Sequence, residues 1–184
     1  PLFIACNKDD DDDNPPRPDN YIEYDGKYYA LTQGYIENWG EMDPGVYNLD
    51  LTLLSSGFTI NYTGTELSSI AGTGDAVYFE IYTADSNQIV PGTYTFNANS
   101  TAAGVFDEGF LGLGVNFGTL SGTFHTVTSG TVSIQKDGAA YTVSFNMTDE
   151  TGKAIKGYFK KELVYLVVDW KSGGPVDKRK PLGL

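Results

Sequence analysis

The chain has one cysteine, one histidine and two methionines in 184 residues. A single cysteine excludes an intrachain disulfide framework and any CxxC metal or redox site. A single histidine removes the metal motifs that need two. Basic residues are missing from most of the middle: no Lys or Arg lies between Lys27 and Lys136, a stretch that holds ten acidic residues. With a net charge of −12 and no basic patch to neutralise phosphates, nucleic acid is excluded as a partner. Long 3.6-residue periods are absent as well. Only Thr65 to Ile70 reads as a helical turn, with Thr65 as its cap.

What is present is β-structure. Hydrophobic residues make up 40% of a 20.0 kDa chain, enough for one domain with a core. Leu49, Leu51 and Leu53 alternate with Asn48, Asp50 and Thr52, and Val77, Phe79 and Ile81 alternate with Tyr78, Glu80 and Tyr82. Tyr141, Val143, Phe145 and Met147 repeat the pattern, which is that of sheets with one dry and one wet face. Asp25-Gly26 and Asp137-Gly138 suit type I′ hairpin turns. Segments 130–136, 140–148 and 153–160 should form a meander, and Leu163 to Trp170, apolar on both faces, a central or well-covered strand. Short strands at roughly ten-residue spacing predict an all-β fold, an antiparallel β-sandwich of about ten strands, with a lipocalin-like β-barrel as the alternative. Residues 21–170 form this single domain, and 171–184 lose the pattern and read as a loose tail.

Catalytic signals are weak. His125, the sole imidazole, lies on the polar side of a strand and reads as a surface residue. The acidic residues of the domain read as solvated carboxylates, with no two of them fixed as a catalytic pair. Glu41 and Asp43 are not embedded in a DxDxDG calcium loop, so no metal is assigned. Gly112 to Gly118 falls one residue short of a dinucleotide fingerprint and has no helix behind it; its glycines read as bulges. No catalytic residue and no cofactor is expected.

Two aromatic–acidic patches are the candidate ligand-binding residues. Tyr35, Glu37, Trp39 and Glu41 form one, and Tyr78, Glu80 and Tyr82, on the outward face of one strand, form the other. Aromatic rings beside carboxylates suit sugars, whose C–H faces stack on the ring while polar groups take the hydroxyls.

The N-terminus is the most specific part of the sequence. Leu2-Phe3-Ile4-Ala5 is apolar, too short to span a bilayer, and ends in a small residue directly before Cys6. Leu-Phe-Ile-Ala-Cys resembles a bacterial lipobox, with residues 1–5 as the remnant of a signal peptide and Cys6 as the lipid anchor. Asn7-Lys8-Asp9-Asp10 resembles the lysine-plus-acidic export signal of surface lipoproteins in the Bacteroidetes, with Lys8, Asp9 and Asp10 as the signal. The resemblance implies a cell-surface location on the outer membrane, with the membrane itself as a partner through the lipid. Residues 6–20, which carry the Asp9 to Asp13 run, would be an extended, self-repelling tether. The sequence thus predicts a non-enzymatic surface lipoprotein that binds a glycan or serves an outer-membrane uptake complex. The alternatives are a glycan-active hydrolase with paired carboxylates and a purely structural or assembly lipoprotein.

Overall fold

The computed structural model describes residues 16–119 and 121–168, and among these no helix forms. Thirteen strands run in order: β1 Tyr21–Tyr24, β2 Lys27–Ala30, β3 Gln33–Asp43, β4 Val46–Leu54, β5 Phe58–Thr63, β6 Glu66–Gly72 and β7 Gly74–Thr83, then β8 Gly92–Phe96, β9 Val105–Asn116, β10 Ser121–Asp137, β11 Ala140–Asp149, β12 Ala154–Glu162 and β13 Val164–Val167. Eleven of them make one sheet in the order β13-β3-β4-β7-β9-β8-β10-β11-β12-β1-β2, and β5 and β6 form a separate hairpin. The all-β expectation holds. The two layers of the fold are parts of one continuous sheet that curls over its own core: the rings of Phe79 on β7 and Phe145 on β11 meet at 5.4 Å. The sheet is mixed rather than purely antiparallel, because β13 runs parallel to β3 and β8 runs parallel to β9.

The alternating apolar positions all point into that core. Leu49, Leu51 and Leu53 of β4, Val77, Phe79 and Ile81 of β7, and Val143, Phe145 and Met147 of β11 belong to one buried cluster with Ile22 and Phe159. Fully burying each side chain is worth about 1.5–3 kcal/mol, so this cluster is the main source of stability. The meander is present and longer than expected, since β10 extends back to Ser121 and its early part pairs with β9.

Turn chemistry differs between the two hairpins. Asp25 and Gly26 both have positive φ (51° and 73°), as a type I′ turn requires. In the other, Asp137 pairs with Ala140, so Gly138 and Ala139 form the loop. Only Gly138 has positive φ there (59°), which is the type II′ pattern.

Two expectations are corrected. Thr65 to Ile70 is not a helical turn: Thr63 pairs with Glu66 across a Gly64-Thr65 turn, and Ile60 pairs with Ile70 in the β5–β6 hairpin. An isolated turn of helix cannot offset its nucleation cost, whereas the hairpin pairs its backbone and buries Phe58. The Leu163–Trp170 run yields β13, an edge strand rather than a central one. Its two apolar faces are nevertheless both used. Leu163 and Tyr165 pack on the main core, and Val164 and Leu166 on a second cluster with Tyr35, Leu54, Phe58 and Ala76 on the outer face of the sheet. Cys6, Lys8, Asp9, Asp10 and the 171–184 tail lie outside the described residues. Asn20, placed in the tether by the sequence, is docked onto the sheet: its side-chain oxygen accepts the Lys160 N–H at 2.7 Å and its carbonyl the Leu31 N–H at 3.0 Å.

Candidate functional site

The residues that β3, β4, β7 and β9 turn away from the main core form one continuous surface, and register decides what meets there. Glu37 on β3 pairs with Asp50 on β4, Asp50 pairs with Glu80 on β7, and Glu80 pairs with Glu108 on β9. One carboxyl per strand thus forms an unbroken row of four across the sheet. Glu37, Asp50 and Glu80 are buried, at 8%, 2% and 8% exposure. This overturns the reading of these acids as solvated: the outward face of the central strands is packed by the long side chains of its own neighbours.

Like charges placed directly opposite one another repel, so such a row is more stable when it keeps protons. Burial pushes the Glu37 carboxyl up to about 7. Burial, then the charge of Asp107, does the same for Glu80, also to about 7. Asp50 is held well above the usual carboxyl range, first by burial and then by the charge of Glu80. Donors partly offset this. The Tyr78 hydroxyl donates to Asp50 at 2.8 Å and the Asn48 amide at 3.0 Å. The Tyr82 hydroxyl lies 2.9 Å from Glu80 and 3.1 Å from Asp107. One hydroxyl proton cannot serve two carboxylates, so both contacts are satisfied when one of the carboxyls is itself protonated. Burial, then the charge of Asp107, raises the Glu108 carboxyl as well.

The β3 end of the row opens to solvent. Glu37, Trp39, Glu66, Leu67, Leu166, Val167 and Val168 line an open cavity of about 240 Å³. Strand β3 supplies the acid and the indole, β6 the far wall and β13 the apolar side. At about 240 Å³ the cavity falls just below the roughly 300–1,000 Å³ of drug-sized sites, which suits one ring or a chain end.

The two sequence patches therefore converge, with β4 between them. Glu37 and Trp39 share the cavity, and Glu80 joins Glu37 through Asp50. Tyr35, Tyr78 and Tyr82 do not present rings at the surface: they are 0%, 1% and 2% exposed. Tyr35 packs in the outer apolar cluster, Tyr78 stacks on Phe110 at 5.0 Å, and Tyr82 bridges two carboxyls. These tyrosines support the site from within. Glu41 stands apart, exposed near the end of β3, where its carboxylate accepts the N–H of Gly45 in the turn at 2.8 Å. A bulge between Asn38 and Gly40 breaks the alternation that would have put Glu41 beside Trp39. Asp50, Glu66, Asp107 and Glu108 belong to the site and were not singled out by sequence. Pairing the β4 and β7 alternations in register would have found Asp50.

The fold and site define an all-β protein with a proton-holding carboxyl row that ends at an aromatic-walled cavity. No protein-family model, curated protein or solved structure matches this chain.

Proposed function

We propose that this chain is a surface-anchored lipoprotein whose β-domain is a non-enzymatic binding module for a glycan, serving capture or uptake at the outer membrane. The observation that carries the binding site is the shared cavity of Trp39 and Glu37, with Glu66 on its far wall. An indole offers a stacking face to the C–H side of a sugar ring. Carboxyls held near neutrality both donate and accept, so they match hydroxyls without the cost of burying a bare charge. The buried row behind Glu37 fixes that carboxyl against solvent competition. The anchor rests on Leu-Phe-Ile-Ala-Cys6 and the Lys8-Asp9-Asp10 signal.

Glycan-array screening followed by calorimetry tests the site. Trp39→Ala and Glu37→Gln should each weaken binding of the selected glycan at least about tenfold, the loss of about 1.4 kcal/mol. Unchanged affinity in both variants rejects this cavity. Turnover of the glycan, lost in Glu80→Gln, would assign the row acid–base work instead. Cys6→Ser should move the full-length precursor product from the membrane fraction to the soluble fraction, and retention on the membrane would reject the anchor.

A further inference from the structure

Away from the carboxyl row, the single histidine sits in a constellation of its own. His125 on β10 packs its ring on Tyr24 of β1, with centroids 4.7 Å apart. Its Nδ1 lies 3.6 Å from Asp149 Oδ2 and 3.5 Å from Glu150 Oε1, and one ligand atom from each of the three side chains lies within 4.8 Å of the others. We propose that His125 Nδ1, Asp149 Oδ2 and Glu150 Oε1 form a binding site for a divalent transition-metal ion of the zinc class.

Two of the three ligand separations match the edges of a coordination polyhedron. Zinc bonds to nitrogen and oxygen run about 2.0–2.2 Å, and a tetrahedron with such bonds has edges of about 3.3–3.6 Å. The two N···O separations, 3.5 and 3.6 Å, fall on those edges, and the two carboxylate oxygens lie within 4.8 Å of each other. One imidazole and two carboxylates are also a ligand set that zinc accepts, with a fourth position left for water.

The surroundings orient the ligands. Asp149 Oδ1 accepts the Thr151 N–H, the Thr151 hydroxyl and the Lys153 N–H, each at 2.8 Å, which locks the carboxylate and leaves Oδ2 aimed at His125. The Tyr24 hydroxyl donates to Oδ2 at 2.7 Å and lies 3.2 Å from Nδ1. With a metal bound, Tyr24 keeps its bond to the second lone pair of Oδ2, while Nδ1 turns its lone pair to the ion. Such outer partners raise affinity by fixing ligand geometry. The Lys153 ammonium, 5.6 Å from the Tyr24 ring centroid, is engaged by Asp25 at 3.0 Å. Access is open on one side: the side chain of Asp149 is fully buried, His125 is 17% exposed and Glu150 is 43% exposed.

The test is titration of the metal-stripped full chain with Zn²⁺ at neutral pH by calorimetry, and with Co²⁺ by visible spectroscopy. The wild type should bind one ion per chain at this site and give the intense visible bands of low-coordinate cobalt. His125→Ala should abolish that binding, and Glu150→Gln should weaken it by at least about tenfold. Both positions are partly exposed, so the variants keep the fold, which circular dichroism verifies. Absence of saturable binding in the wild type overturns the proposal. So does equal affinity in His125→Ala, since the ion would then sit on acidic surface elsewhere.

Discussion

Replacing Glu37 by Gln isolates the energetic consequence of the carboxyl row. Gln keeps the shape and hydrogen-bonding capacity of a protonated Glu but cannot ionise. In the folded chain burial raises Glu37 from 4.5 to about 7. Unfolded, it returns to the ordinary range of about 4.3. Between those values the unfolded state loses its proton while the folded state keeps it. Stability is therefore highest below about pH 4.5 and falls as pH rises through 7, where the cost is complete. A shift of this size corresponds to about 3 kcal/mol, or roughly 6–12 °C in Tm for a chain of this length. Urea unfolding of wild type and Glu37→Gln from pH 4.5 to pH 8 reads it directly. The two proteins should be of similar stability near pH 4.5, and the variant about 3 kcal/mol more stable at pH 8, with equal m-values. If the gap between them changes by less than about 1 kcal/mol over that range, Glu37 ionises normally in the folded chain and the reasoning fails.

Other parts of the structure make separate demands. Unfolding at pH 6 in weak buffer should release about three protons, from Glu37, Asp50 and Glu80, and a release below about one would show that the row is already charged. Asp149 behaves in the opposite sense: burial opposes its charge, but bonds from Tyr24, Thr151 and Lys153 outweigh it and hold the carboxyl down to about 2. Its contribution is present above about pH 4 and is lost as pH falls towards 2. Asp149→Ala should cost about 3 kcal/mol at pH 7 by urea titration, and a loss below about 1 kcal/mol would mean that its donors find water instead. Phe79→Ala removes a fully buried ring that meets both Phe106 and Phe145. Thermal unfolding should report a loss of about 3–5 kcal/mol, and a much smaller one would mean that the curled core collapses into the gap.

Local pattern carried most of the strands, because period-two alternation is written residue by residue. It also put Glu37 beside Trp39 and Glu80 between two tyrosines. Pairing is a different kind of information. Asp50 looked like one more wet position between Leu49 and Leu51, and only its register with Glu37 and Glu80 makes it the centre of a row. The wall of the cavity was lost for a related reason: Glu66 and Leu67 stand on β6, a segment whose local signals also fit a helical turn. His125 and Asp149 lie on paired strands of one hairpin, yet a bulge between Val127 and Ser129 shifts the count outward from the Gly138 turn by one residue.

The two acidic centres show why residue type alone could not separate them. Asp149 has four donors to itself within 2.8 Å and stays charged. The row and Asp107 make five carboxyls, and Tyr78, Asn48 and Tyr82 are the side-chain donors from other residue types that reach them. With donors in short supply, protons must supply the missing hydrogen bonds. It follows that the formal charge of −12 overstates the charge of the folded chain near neutrality. The outer face is then less repulsive to neutral, hydroxyl-rich ligands and less attractive to cations than composition implies. A carboxyl row short of donors therefore suits the proposed hydroxyl-rich ligand, while Asp149, whose carboxylate is oriented by four donors, suits the proposed metal site.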